Sequence, residues 1–204
     1  MATAIQVPVI AMDYFKHTGN CTGHIILKAL VIVDMQMEMQ HRMEADRDHV
    51  NPEAPARIAE LAATFREKGW PVLHIRHIDE NPLSPFHPAA PGYGPMPCAE
   101  ALLNEPVFLK RTSSGFASTD LAAYLRGKGI NNLVVTGAVA GFCVNSTVRA
   151  GADLGFNMTV VKDAVIGFGI PSKHLSARTI FDVTMAHLES DFAKVIEASS
   201  VLDE

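Results

Sequence analysis

Short apolar runs along the chain alternate with longer stretches in which apolar residues recur every three or four positions. Residues 29–33 form the first run, and an unbroken apolar run is typical of a strand covered on both faces. The intervening stretches have the spacing of amphipathic helices. The predicted strands are residues 29–33, 71–75, 107–109, 133–137, 158–161 and 192–196. The predicted helices are, within a residue or two, 55–69, 119–129, 143–154 and 172–188.

Strands that alternate with helices predict a parallel sheet, because right-handed crossovers place the helices on its two faces. The expected fold class is α/β, a doubly wound α/β/α sandwich with a six-stranded parallel sheet in the order 3-2-1-4-5-6. We expect residues 27–204 to form this single domain and residues 1–26 to form an N-terminal arm. No basic segment precedes the apolar residues 3–12, so they predict an arm or an edge strand rather than a signal peptide.

Composition narrows the class of protein. Of the 204 residues 48% are apolar, which is enough for one sizeable core and too many for a disordered chain. The chain has 17 Lys and Arg against 22 Asp and Glu, a net charge of −5, and no basic stripe, so a nucleic-acid partner is not expected. No apolar run reaches the roughly 20 residues of a membrane span. Three cysteines are too few for a disulfide scaffold, so the expected location is a reducing cytoplasm.

Three residues whose side chains can take part in catalysis follow three predicted strands. Asp34 comes after the first strand, Lys110 after the third, and Cys143 after the fourth. In the predicted strand order the first and fourth strands are neighbours at the point where the order reverses, which is where such sheets bind ligands. We therefore expect Asp34 and Cys143 to face each other, with Lys110 close by.

These side chains suit nucleophilic catalysis. The thiolate is the nucleophilic form of cysteine, and we expect a helix N-terminus and Lys110 to lower the pKa of Cys143 from about 8.5. Asp34 would accept the thiol proton and return it to a leaving nitrogen, which requires that Asp34 be partly desolvated or coupled to the thiol. Each residue also has a structural alternative: an Asp that caps a turn, a solvated Lys and a small buried Cys.

The local motifs around these residues resemble those of the isochorismatase-like cysteine hydrolases. The matching segments are residues 29–36 (ALVIVDMQ), 109–116 (LKRTSSGF), 119–121, 134–149 (VVTGAVAGFCVNSTVR), 152–156 and 160–164. The resemblance spans about residues 27–196 and keeps the Asp, Lys and Cys in the family's order. It implies an isochorismatase-like fold and a catalytic triad of Asp34, Lys110 and Cys143.

The resemblance also implies a cis peptide bond between Ala138 and Val139, four residues before the nucleophile. We expect the backbone N–H groups of Val139 and Cys143 to point together as an oxyanion hole. Members that hydrolyse the vinyl ether of isochorismate lack the nucleophilic cysteine, so Cys143 argues against that reaction.

Substrate-binding candidates surround the predicted triad. Residues 79–106 are rich in Pro and Gly, and a loop of that length is usually a lid or a pocket wall. Gln36, Phe86, Phe116 and Phe142 are the candidate substrate contacts. Gln36 could instead simply begin the loop after the first strand, and aromatic residues at strand ends are often part of the core.

Neither a metal nor another cofactor is expected. Nicotinamidases of the family hold a metal through an Asp-x-His and a further His after the second strand. This chain has His74, His77 and His87 in that region but no Asp-x-His, and residues 74 and 77 would point to opposite faces of a strand. We expect all three to be surface or core-edge histidines.

The sequence thus predicts a cysteine-dependent hydrolase of a small-molecule amide-type C–N bond, in an amide, carbamoyl or ureido group, acting through a thioester. Two alternatives stay open: an isochorismatase-type vinyl-ether hydrolase, and a non-hydrolytic thiol protein with a redox or binding role. The expected partners are a small-molecule substrate and further copies of the chain in a dimer or tetramer, since family members are usually oligomers.

Overall fold

The structure is a computed structural model that describes residues 28–203. The strands within this range are β1 Lys28–Val33, β2 His49–Val50, β3 Val72–His77, β4 Val107–Lys110, β5 Asn132–Ala138, β6 Asn157–Phe168 and β7 Ala193–Ile196. The helices are α1 Met37–Glu44, α2 Ala54–Glu67, α3 Leu121–Gly127, α4 Asn145–Asp153, α5 Ala177–Asp191 and α6 Ser199–Leu202. The expected N-terminal arm, residues 1–26, lies outside the described residues.

Six of these strands form a parallel sheet in the order β4-β3-β1-β5-β6-β7. Numbered along the predicted strands, this order is 3-2-1-4-5-6, so the predicted fold class is confirmed. The two-residue β2 pairs antiparallel with the end of β6, with His49 opposite Phe168. The predicted sheet therefore has one additional short strand.

Alternate residues of the strands face two helical layers. On one face of β1, Val31 and Val33 belong to a buried cluster that includes residues of α3, α4 and α5. On the other face, Leu30 and Ile32 belong to a cluster with α1, α2 and α6. This period-two separation of a wholly apolar strand is why residues 29–33 read as an unbroken run.

Two predicted element boundaries are wrong. β6 continues past residue 161 to Phe168. The predicted strand is too short because the polar Lys162 and Asp163 interrupt the apolar run, although the residues after them are again buried. The last long helix begins at Ala177 rather than at residue 172, since the Ser176 hydroxyl accepts a hydrogen bond from the Thr179 N–H at 3.1 Å and caps it.

The helix predicted to begin at Cys143 also differs. Residues 140–144 form a wide turn in which the Val144 N–H donates to the carbonyl of Val139, five residues back, at 3.3 Å. The regular helix α4 begins only at Asn145. Cys143 therefore lies inside the turn that connects β5 to α4. No helix within residues 28–203 is long and apolar enough to cross a lipid bilayer.

Candidate active site

Three side chains from distant parts of the chain meet at the carboxyl edge of the sheet. Asp34 directly follows β1, Lys110 is the last residue of β4, and Cys143 lies in the turn after β5. Asp34 has a φ of +48°, a left-handed conformation that Asp adopts more readily than most residues, and it ends the strand. The three residues predicted from their places after strands are thus the ones that the fold brings together.

The ammonium group of Lys110 is the centre of this cluster. Its Nζ lies 2.6 Å from Oδ2 of Asp34, 3.3 Å from Sγ of Cys143 and 3.2 Å from Nδ1 of His77. The side chain is completely buried. An ammonium has three hydrogens to donate, and these three acceptors satisfy all of them.

Asp34 is a buried carboxylate with one oxygen engaged and one open. Its Oδ1 makes no hydrogen bond to any residue between 28 and 203. Burial raises the pKa of the Asp34 carboxyl above its ordinary value, although Lys110 and the neighbouring Cys143 thiol act in the opposite direction. This is the desolvated state that a proton acceptor at neutral pH requires.

The expectation of a lowered thiol pKa is wrong. Burial, followed by the charge of Asp34, raises the pKa of the Cys143 thiol to about 12, and Lys110 offsets only part of this effect. The wide turn before α4 also means that the thiol does not stand at the start of a regular helix. At neutral pH the thiol is therefore protonated.

The peptide bond between Ala138 and Val139, at the start of the turn, is cis. Val139, Ala138 and Cys143 all line one cavity of about 290 Å³, which Asp34 also lines. The thiol, the carboxylate and this turn therefore face the same space. A larger cavity of about 450 Å³ lies at the opposite end of β3, beside Trp70, and contains none of these groups.

His77 belongs to the cluster, although from the sequence it is expected to be a surface or core-edge histidine. Burial, and then the charge of Lys110, lower the pKa of the His77 imidazole, so the neutral ring accepts from Lys110 through Nδ1. β3 ends at His77, which pairs with Lys110 across the β3–β4 ladder. His77 therefore lies at the carboxyl end of a strand, as Asp34 does, and its position could have been predicted in the same way.

Gln36 is not available to a substrate, contrary to one of the predictions. It is fully buried, and its amide accepts from the His77 N–H at 2.8 Å and donates to the His77 carbonyl at 3.0 Å and the Tyr93 carbonyl at 2.7 Å. All polar atoms of the side chain are thus occupied by backbone groups. Gln36 ties the end of β3 to the Pro-rich segment.

Two of the three predicted aromatic contacts line the cavity. Phe86, from the Pro-rich segment, meets the edge of the His77 ring at a centroid distance of 5.1 Å, and Phe142 is 52% exposed above the thiol's turn. Phe116 does not line the cavity, because it stacks on Phe156 at 5.5 Å and packs against the core. Arg42, Met39 and Ser113 complete the lining, and none of them was predicted.

The remaining histidines of the predicted group lie apart from the cluster. His74 is buried, with its Nε2 2.9 Å from the Glu105 carboxylate, and the Nδ1 of His87 accepts from the Ala89 N–H at 3.2 Å. In the part of the chain that the structure describes, no three His, Cys, Asp or Glu side chains are arranged to hold a metal ion.

Comparison with known proteins identifies the family to which this chain is similar. Residues 28–197 match the family model of the isochorismatase domain. YrdC of Bacillus subtilis, an isochorismatase family protein, is 30% identical over 180 residues, which are 87% of this chain and 95% of YrdC. The ureidoacrylate amidohydrolase RutB of Methylobacterium radiotolerans is 27% identical over 166 residues, 72% of this chain and 62% of RutB.

Comparison with solved structures identifies the same family. The crystal structure of an isochorismatase-family hydrolase from Chromobacterium violaceum superposes with a TM-score of 0.82 at 28% identity, covering 92% of this chain and 97% of that one. The family match extends over nearly all the described residues. The chain belongs to the isochorismatase-like hydrolase family.

Proposed function

We propose that this hydrolase cleaves an amide-type C–N bond of a small molecule, in an amide, carbamoyl or ureido group, through a thioester on Cys143. The observation that carries the proposal is the buried Lys110 ammonium, 2.6 Å from the Asp34 carboxylate and 3.3 Å from the Cys143 sulfur. A nucleophile beside a base that a third group orients is the arrangement that covalent catalysis requires.

The first step combines attack with proton transfer. The sulfur of Cys143 bonds to the substrate carbonyl carbon while its proton moves to Asp34, because a thiol with a pKa of about 12 holds little thiolate at neutral pH. Burial raises the pKa of Asp34, and a carboxylate with a raised pKa is a better proton acceptor than an exposed one. Lys110 stabilises the sulfur as negative charge develops on it.

The following steps return every group to its starting state. The N–H groups of Val139 and Cys143 stabilise the oxyanion, in which role one donor is typically worth about 10²-fold in rate. The C–N bond breaks, Asp34 protonates the departing nitrogen, and ammonia or an amine leaves a thioester. Asp34 then takes a proton from water, whose oxygen attacks the thioester carbon. The S–C bond breaks, and the sulfur recovers the proton from Asp34.

A relative supports the choice of bond. RutB bears the name of an amidohydrolase that acts on ureidoacrylate, and it shares 27% identity with this chain over 166 residues. An amidohydrolase that acts on a ureido compound cleaves a C–N bond next to a carbonyl. Hydrolysis of a C–N bond next to a carbonyl in another small molecule suits the nucleophile and proton acceptor at Cys143 and Asp34.

The test is ammonia release from a panel of small amides, carbamoyl and ureido compounds. We expect Cys143→Ala to lower turnover by roughly 10³-fold or more, and Asp34→Asn to prevent the thioester adduct from forming, as seen by mass spectrometry of the intact protein. Cys98→Ala is the matched control, since Cys98 is also a free cysteine but lies outside the cavity. Turnover that survives Cys143→Ala would refute the mechanism.

The same variants separate the alternatives. A vinyl-ether hydrolase would keep its activity in Cys143→Ala, because that reaction needs no sulfur nucleophile. A non-hydrolytic thiol protein would react with alkylating reagents at Cys143 yet release no ammonia from any member of the panel.

A further inference from the structure

A second cavity adjoins the one that contains the thiol. It measures about 320 Å³ and shares the lining residues Arg42, Val139 and Phe142 with the first. Because these residues line both spaces, the two cavities lie side by side, and we call them together the crevice. Its far wall includes Arg47 and Phe168.

The charges along this crevice are unequally distributed. Two guanidinium groups line it: Arg42 lies 5.9 Å from the centroid of the Phe168 ring, and Arg47 lies 5.8 Å from the same ring. Among the described residues that line the two cavities, Asp34 is the only acidic one, and Lys110 pairs with it at 2.6 Å. Glu38 pairs with Arg42 at 2.7 Å, whereas no carboxylate among residues 28–203 pairs with the exposed Arg47, which therefore gives this end of the crevice an unpaired positive charge.

Arg42 also has hydrogen-bonding capacity to spare. Its Nε donates to the Glu38 carboxylate at 2.7 Å, which fixes the side chain along α1. Its terminal nitrogens have no hydrogen-bond partner among residues 28–203. A guanidinium held by one edge and open at the other is suited to a two-point contact with a planar anion.

We propose that Arg42 and Arg47 form an anion-binding subsite, and that the substrate is a small amide with a carboxylate or similar anionic group remote from its scissile carbonyl. This proposal rests on the amide-hydrolase function proposed above. The arginines orient the substrate, because they attract its anionic end to the far part of the crevice and leave the scissile carbonyl toward Cys143.

The first experiment tests the subsite without requiring hydrolysis. Iodoacetate and iodoacetamide both alkylate a cysteine by displacing iodide as an S–C bond forms, and they differ only in carrying a carboxylate or a neutral amide. The readout is the ratio of the two rate constants at Cys143, measured by mass spectrometry, with glutathione as the reference thiol.

We expect the iodoacetate-to-iodoacetamide ratio at Cys143 to exceed that of glutathione. Arg42→Gln and Arg47→Gln should each lower the ratio by roughly threefold to tenfold, as loss of one charge from the lining of the crevice predicts, and added salt should lower the wild-type ratio. Arg42→Lys should retain most of it. The matched control Arg57→Gln, an exposed arginine of α2 that lines neither cavity, should leave it unchanged.

The second experiment compares turnover of N-carbamoyl amino acids with that of their methyl esters. A higher kcat/KM for the free acids, lost in Arg47→Gln, supports the subsite. Equal values, together with alkylation ratios that the arginine variants do not change, overturn it while leaving the hydrolase function intact. If neither compound releases ammonia but the alkylation ratio still falls in both arginine variants, the subsite stands and the proposed reaction fails.

Discussion

A buried ammonium is costly unless every hydrogen is bonded, and at Lys110 each of the three has an acceptor. One consequence concerns the thiol. Since the Cys143 sulfur accepts a hydrogen bond from Lys110, its own hydrogen must point elsewhere, and the open Oδ1 of Asp34 is the unoccupied acceptor of the cluster. In the mechanism proposed above, Lys110 would thus direct the thiol proton toward Asp34.

His77 is expected to act on Cys143 through Lys110, as a positioning residue. His77→Leu removes the acceptor of one ammonium hydrogen, and a hydrogen bond to a charged group is worth about 1.5–3 kcal/mol, so we expect iodoacetamide alkylation of Cys143 at pH 8 to slow by roughly tenfold or more. His77→Asn, whose amide oxygen can replace Nδ1 as the acceptor, should restore most of the rate.

The control for this prediction is His187→Leu, a change at an exposed histidine of α5. Urea denaturation of the same variants separates positioning from simple destabilisation, because only positioning slows alkylation under conditions in which the variant is fully folded. An unchanged alkylation rate in folded His77→Leu would mean that Lys110 needs no third partner.

Sequence reasoning at the residue scale reached the residues that stand directly at strand ends. Asp34, Lys110 and Cys143 follow from chain topology, because parallel strands bring their carboxyl ends to one edge. The pKa of the Cys143 thiol did not follow, since burial by the surrounding layers outweighs the one cation that the sequence reveals. The prediction for Gln36 was wrong for a related reason: its partners are backbone groups of His77, at the end of β3, and of Tyr93, in the Pro-rich segment, which no side-chain pattern encodes.

At the scale of elements, the β1–β5 pairing brings two backbones unusually close. Gly137 has a φ of +117° and pairs with Val33, and a Cβ at this position would fall on the Val33 carbonyl oxygen. The register of β5 against β6 also shifts between Val135 and Gly137. A glycine is required here for both conformation and space.

We therefore expect Gly137→Ala to lower the free energy of unfolding by at least about 3 kcal/mol, because both the φ and the clash involve backbone that cannot move aside. Urea denaturation followed by circular dichroism measures the change. Gly127→Ala, in α3 with open space around its Cβ position, is the matched control and should be neutral or stabilising by up to about 1 kcal/mol. Equal urea midpoints for Gly137→Ala and the wild type would contradict the required close approach.

The presence of each main strand and helix was easier to predict than its first and last residues. The apolar run of β1 and the helical spacing of α2 are strong periodic signals, and both elements lie where predicted. The second half of β6 was hidden by Lys162 and Asp163, and the widened turn at residues 140–144 has no sequence signature that periodicity could detect.

For the whole molecule, strand order could be predicted because alternation and handedness leave few arrangements. Assembly into a homo-oligomer, the role of residues 1–26 and the cytoplasmic location stay predictions, since they depend on contacts and surroundings that one chain does not contain. The lining of the cavity beside Cys143 could not be predicted either, because Phe86 and Arg42 reach it from the Pro-rich segment and from α1, whose positions over the sheet edge no local pattern encodes.

Sensitivity of the whole fold to acid should originate far from the active site, at Glu105. Arg66 of α2 and His74 of β3 both contact its carboxylate, at 2.7 Å and 2.9 Å. Burial alone would raise the pKa of Glu105, but hydrogen bonds from Arg66, the Leu102 N–H and His74 outweigh it and lower this pKa to about 2. Burial lowers the pKa of His74 as well.

Both lowered pKa values make the folded state bind fewer protons than the unfolded chain. Below pH 6.5 the unfolded chain gains a proton at His74, and between pH 4.5 and about pH 2 it gains one at Glu105, so stability falls as the pH falls through these ranges. We expect Glu105→Gln to cost roughly 3 kcal/mol at pH 7 and progressively less below pH 4.5, where protonation of Glu105 in the unfolded chain lowers the stability of the wild type but not of the variant. Urea midpoints at pH 7, 5 and 3 measure this convergence, with the exposed Glu189→Gln of α5 as the control. Wild-type and Glu105→Gln curves that stay parallel down to pH 3 would show that α2, β3 and the segment before β4 are held together by packing and not by this carboxylate.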